Sequence, residues 1–193
     1  MSFTLALPRI SLSGDGAVKD AISILKQQGI RKALVLTDKV VWNLSGGKLL
    51  FSSLEKQHIS FNVFDAIEPN PTTKTVDAAF AQFRTVSPDV VIALGGGSVI
   101  DTAKAVRILS ANSGPITRYE DVHHELKNGV MLVAISTTSG TAAEVTSNVV
   151  IIDLVRRVKM VIISHANLPD IAVNDWLTPK SRSSIPLFYS DPA

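Results

Sequence analysis

Gly95, Gly96 and Gly97 are followed by Ser98 and, three residues on, by Asp101. No other stretch of the chain points so directly to chemistry. An apolar run, Val90-Val91-Ile92-Ala93-Leu94, precedes the glycines, and Ile100, Ala103 and Val106 follow at helical spacing. The pattern predicts a buried strand, a glycine turn and a helix amino terminus, with Ser98 and Asp101 close to a capping box. The first N–H groups of a helix have no intrahelical acceptor, and the helix dipole adds partial positive charge there. Glycines remove the Cβ that would keep an anion at a distance, so such a turn can cradle a diphosphate. The same residues also make a tight turn that binds nothing, and the motif alone does not separate the two.

Three other positions could complete such a site. Ala33-Leu34-Val35-Leu36 reads as a second buried strand and ends in Thr37-Asp38. A carboxylate there can accept hydrogen bonds from both hydroxyls of an adenosine ribose and would repel a 2′-phosphate, favouring NAD over NADP. Asp38 can equally cap the next helix. A strand over residues 131–135 runs into Ser136-Thr137-Thr138-Ser139-Gly140-Thr141-Ala142-Ala143-Glu144. Thr141 and Glu144 fit a capping box, which predicts a second helix start. The hydroxyls could bond phosphate or ribose oxygens, or Thr141 could serve only as a cap. Lys159, in an apolar stretch, could reach a cofactor phosphate or ribose, or extend to solvent.

The elements that must position these residues alternate along the chain. Strands are expected near residues 3–12, 33–36, 59–64, 90–94, 131–135 and 171–173. Between them lie a helix capped by Asp15 and closed by Gly29, a helix over 40–56 interrupted at Ser45-Gly46-Gly47, and a helix from Thr73 carrying Val76, Ala79, Phe80 and Phe83. Residues 148–153 and 158–163 read as a hairpin. The expectation is an α/β fold: a doubly wound, mostly parallel, Rossmann-like sheet with a small β-hairpin. Ligands in such sheets sit beyond the strands' carboxyl ends, where Asp38 and the glycine turn fall. The histidines, including His123-His124, read as surface or isolated residues and not as metal ligands.

With 193 residues, 46% of them hydrophobic, the chain can bury a sizeable core. A net charge of +2 without a dense basic cluster argues against nucleic acid and anionic membranes as partners. There are no cysteines, so disulfides and thiolate metal sites are excluded. No signal-like or membrane-spanning run appears, which is compatible with a cytoplasmic location.

Taken together, Thr37-Asp38, Pro69-Asn70-Pro71, the Gly95–Ser98 turn with Asp101 and Ala103-Lys104-Ala105, residues 137–146, Lys159-Met160 and Val173-Asn174-Asp175 resemble the iron-containing (group III) alcohol dehydrogenase family. The resemblance covers about residues 3–175. It implies an NAD-binding α/β domain over residues 1–175. Asp38 would lie on the adenosine ribose and Gly96, Gly97 and Ser98 on the pyrophosphate. Asp101 would lie near the nicotinamide end, with Asn70, Thr137, Thr138, Thr141 and Lys159 along the cleft. In the family a helical domain follows and carries a divalent metal, Fe2+ or Zn2+, that polarises an alcohol oxygen for hydride transfer. None of its ligands can be placed on residues 176–193, which read as a divergent tail. The expectation is therefore a nucleotide-binding domain without its metal domain. Such a chain binds NAD but does not interconvert small alcohols and aldehydes on its own, and its uncovered apolar face favours homo-oligomers. The competing expectation is a catalytically silent NAD-binding or interaction module.

Overall fold

The computed structural model describes residues 6–120 and 126–175. His123-His124 and the tail at 176–193 lie outside the described residues. Six strands, β1 (Ile10–Ser13), β2 (Lys32–Leu36), β3 (Ser60–Phe64), β4 (Val90–Gly95), β5 (Met131–Ser136) and β8 (Ile171–Asn174), form one sheet in the order β1-β8-β5-β4-β2-β3. Every pairing in it is parallel. The strands β6 (Asn148–Asp153) and β7 (Val158–Ile163) form the separate antiparallel hairpin that the sequence predicts.

Period-two alternation divides the central strands between two cores. Val35, Ile92, Leu94 and Val133 point to one face, where α1 (Ala17–Gln27) and α3 (Ser45–Lys56) bury Ile22, Leu25, Leu50 and Leu54. Leu34, Val91, Ala93 and Leu132 point to the other, against α4 (Thr73–Val86) and α5 (Gly97–Ala111). Since both faces are covered, β4 is buried throughout, which is why it reads as a continuous apolar run. The hairpin packs Val149, Ile151, Met160 and Ile162 on the outside of α4 and α5. The direction of winding reverses between β2 and β4, so their carboxyl ends open a crevice.

Three local expectations are corrected. The predicted helix over 40–56 is two helices, α2 (Lys39–Trp42) and α3, and the break falls at Asn43-Leu44. Gly46 and Gly47 lie inside the first turn of α3, and a Cβ on Gly47 would come within 2.3 Å of the Trp42 carbonyl oxygen. Glycine is needed there because α3 starts against the end of α2. Asp15 does not cap α1: Gly16 is the N-cap residue, at φ 85, without a side-chain bond. The Val18 N–H is instead accepted by the buried carboxylate of Asp175, 157 residues away. Residues 6–9, expected in the first strand, lie outside it, and the strand runs from Ile10 to Ser13.

Candidate functional site

The carboxyl ends of β2, β4 and β5 border a cavity of about 670 Å³. Asp38 stands at one end and the Gly96–Val99 turn at the other. Ala66 to Pro69 form one wall, and Thr137 and Thr138 another. A second cavity of about 380 Å³ shares Gly97 and Ser98 with the first and continues to Asp101, Thr141 and Val150. The start of α5 therefore borders both spaces.

α5 begins without a side-chain cap. Gly96 is the N-cap residue, in extended conformation. Ser98 is the second residue of the helix, not its cap, and its Oγ accepts the Asn70 N–H at 3.2 Å. Asp101 does not reach back to the turn: its Oδ2 accepts the Val150 N–H of β6 at 3.3 Å. The predicted capping box is thus absent, because both of its side chains serve other segments. The N–H groups of Gly97 and Ser98 have no acceptor among the described residues.

The two corners expected from the sequence lie side by side. A Cβ on Gly96 would stand 3.1 Å from the Thr138 side chain, and one on Gly97 would stand 2.8 Å from the Thr141 hydroxyl. The Thr137 N–H donates to the Gly95 carbonyl at 3.1 Å, and Thr37 Oγ1 donates to the Leu94 carbonyl at 2.8 Å. These bonds fix the three strand ends to one another. Thr141 does not start a helix. Ala142 takes a left-handed conformation (φ 51), and only the single 3₁₀ turn Ala143–Val145 follows, with no side-chain cap. The chain has only two residues after that turn before β6 begins, so no helix can be accommodated. Thr141 is thereby left on the cavity wall.

Asp38 does cap α2. Its Oδ1 accepts the N–H groups of Val40 at 2.9 Å and Val41 at 2.8 Å. Its Oδ2 has no partner among the described residues, and Asp38 lines the first cavity. One carboxylate can therefore hold the helix and still accept a bond from a ligand. Val40 (71% exposed) and Leu44 give this end of the cavity an apolar wall.

Asn70 bridges the two sides of the cleft. It holds a left-handed conformation (φ 59), donates its N–H to Ser98, and accepts the Lys159 amine on Oδ1 at 3.3 Å. Lys159 is exposed on β7, and its recorded contact is to Asn70.

One functional group was not singled out from the sequence. Lys104 is fully buried, three residues after Asp101 on α5. Its amine donates to the carbonyls of Thr146 at 2.7 Å and Asn148 at 2.9 Å, and to Thr146 Oγ1 at 3.4 Å. Burial pushes the Asp101 carboxyl up to about 6, held back by the Lys104 charge and the Val150 N–H. Burial likewise pushes the Lys104 amine down to about 8, opposed by the charges of Asp101 and Glu144. A lysine set among Ala103, Ala105 and Val106 on a helix was the available signal.

Among the described residues, no three His, Cys, Asp or Glu side chains come together to hold a metal ion. No helix among them is long and apolar enough to cross a membrane.

A parallel, doubly wound sheet with an uncapped, glycine-opened helix start at its switch point places the molecule in a class, the Rossmann-like α/β proteins. Comparison with known proteins narrows it. The family model for iron-containing alcohol dehydrogenase matches residues 8–176, and the chain belongs to that family. It is 34% identical over 169 residues to alcohol dehydrogenase 4 of Saccharomyces cerevisiae, covering 88% of this chain and 44% of that protein. It is 36% identical over 169 residues to the NAD-dependent methanol dehydrogenase of Bacillus methanolicus, with the same coverage of 88% and 44%. Among solved structures, a 1,3-propanediol oxidoreductase superposes with a TM-score of 0.89 at 31% identity, covering 93% of this chain and 47% of that one. The chain thus spans less than half the length of each of these relatives.

Proposed function

We propose that this chain is a NAD-binding domain, with the dinucleotide laid across the two cavities. The observation that carries the reading is the uncapped start of α5 bordering both, with Thr138 and Thr141 opposite. The space that a Cβ on Gly96 or Gly97 would fill suits a diphosphate, which the free amides and the helix dipole would hold. Asp38 Oδ2 would then accept from the adenosine ribose, and the Val40 and Leu44 wall would face the purine. Ser98 and Thr137 would lie along the diphosphate. Because Gly97 and Ser98 line both cavities, the nicotinamide half would run past them toward Asp101. Asn70 and Lys159 would close over the sugar–phosphate chain.

Bound NAD would supply a hydride acceptor, and membership of the family supports small alcohol and aldehyde interconversion as the activity of the whole enzyme. A divalent metal, Fe2+ or Zn2+, is part of that family reading. The described side chains do not fit one, since no three metal-ligating groups among them come together. A cytoplasmic location and self-association belong to the same reading.

Calorimetric titration of the full chain with NAD+, ADP and AMP tests the proposal. NAD+ and ADP are expected to bind competitively at one site, with ADP tighter than AMP because the diphosphate anchors it. Absence of NAD+ binding, or equal binding of AMP and ADP, would refute it.

A further inference from the structure

The buried amine of Lys104 is a demanding group that the cleft contacts do not account for. Burying an ammonium is unfavourable unless its donors and charge are matched. Here three donors meet three acceptors, all contributed by residues 146 and 148. β6 pairs with β7 on one side only. Its other edge is met at Ile152, whose N–H donates to the Pro71 carbonyl at 2.8 Å. The Thr146 and Asn148 carbonyls are thus left to the Lys104 amine, whose own burial requires acceptors there. One helical turn away on α5, Asp101 accepts from Val150, two residues further along the same strand. Asp101, Thr146, Asn148 and Val150 all line the second cavity.

We infer that Lys104 is a positioning residue for this cavity: it pins the start of β6 to α5, so that Val150 meets the Asp101 carboxylate on the cavity wall, one helical turn from the Lys104 amine. The inference rests on the cofactor reading only for what occupies the cavity. If the cationic ring of NAD+ lies there, an ionised Asp101 attracts it. Charge reaches Asp101 from Lys104 on its own helix, and Lys104 in turn feels Glu144 on the 143–145 turn. The hairpin contributes the Val150 N–H and, from β7, Lys159, whose amine is bonded to Asn70. Helix α4 packs on this region through the apolar Val76 and Ala79.

Carboxyl-carbon NMR of the full chain, with D101N assigning the Asp101 signal, provides the test. The wild-type signal should titrate with a midpoint near 6. In K104M, which keeps the length of the side chain, the midpoint should rise by about 1 pH unit, because loss of a neighbouring opposite charge raises a carboxyl. The pH dependence of NAD+ affinity should move with it. A lysine with a purely structural role would lower the melting temperature and leave the midpoint where it was, and that result overturns the inference. Should K104M fail to fold, the wild type decides: the Lys104 Cε signal must show an inflection at the Asp101 midpoint in addition to its own. A single inflection overturns the inference. The two NMR readouts need no ligand, so a failure to bind NAD+ would refute the cofactor reading and leave the Lys104 test intact.

Discussion

Asp38 carries two roles on separate oxygens, and substitution can separate them. Oδ1 accepts two N–H bonds at the start of α2, while Oδ2 has no partner among the described residues and Asp38 lines the cavity. Asparagine is as good an N-cap as aspartate, so D38N should leave the melting temperature unchanged, whereas D38A should cost about 1 kcal/mol. Bonds to an ionised group contribute about 1.5–3 kcal/mol each. At about 1.4 kcal/mol per factor of ten, losing one such bond to the ribose weakens NAD+ by about 10- to 100-fold. Both variants should show that loss. NADP+ should weaken less or bind better, because the charge that repels its 2′-phosphate is gone. Calorimetry with both nucleotides, run beside thermal melts of the wild type and the two variants, reads every term. If D38N binds NAD+ as the wild type does and only D38A is impaired, Asp38 is a cap and nothing more, and the ribose assignment fails.

Other outcomes follow from the same geometry. In G97V the new side chain meets the Thr141 hydroxyl and covers the free amides, so NAD+ affinity should fall more than tenfold by calorimetry, with little change in far-UV circular dichroism. Thr72 Oγ1 accepts the Thr75 N–H at 3.2 Å as the cap of α4, so T72A should lose about 1 kcal/mol in urea unfolding and keep its nucleotide affinity. Ile92, fully buried at the centre of the sheet, should lose about 2–5 kcal/mol when cut to alanine, read by the same unfolding curves. Asp101 titrates near 6 in the fold against 3.8 in the unfolded chain, so the native state holds its proton more tightly. Its contribution is complete below pH 3.8 and is lost as pH rises through 6. Wild-type stability relative to D101N should therefore decline between pH 4 and 6.5, and a flat difference would refute the assignment.

What the sequence made legible was what depends on period and punctuation. The all-buried run at β4, the glycine turn after it, Gly29 at the end of α1 and the hairpin at 148–163 are each specified by residues within a few positions of one another. The crevice was legible too, since parallel strands place Asp38, Gly96 and Thr138 at the same rim by connectivity alone. What could not be read was the choice of partner across long separations. Nothing near Val18 indicates that Asp175 will accept its N–H, and nothing near Asp101 indicates Val150. Lys104 looked like one residue of a motif because its acceptors lie more than forty positions away. A periodicity analysis has no access to such pairs, since they exist only after the strands are stacked.

Apart from Asp15, the failed capping expectations share a cause, and it bears on function. Ser98, Asp101 and Thr141 all carry the residue types that close a helix end, and none of them does so. Ser98 holds Asn70 and Asp101 holds the hairpin, while Thr141 stands free on the wall opposite Gly97. By contrast, α2 and α4 are closed by their own Asp38 and Thr72 side chains. Three helix starts, those of α1, α3 and α5, have no side-chain cap; at α1 Asp175 accepts the Val18 N–H, and α5 is the one that borders the two cavities. An open helix end carries unsatisfied donors and partial positive charge, which is unfavourable without an acceptor. A fold that has suitable caps in sequence and directs them elsewhere keeps those donors for something outside the chain, and a diphosphate fits their charge, number and spacing.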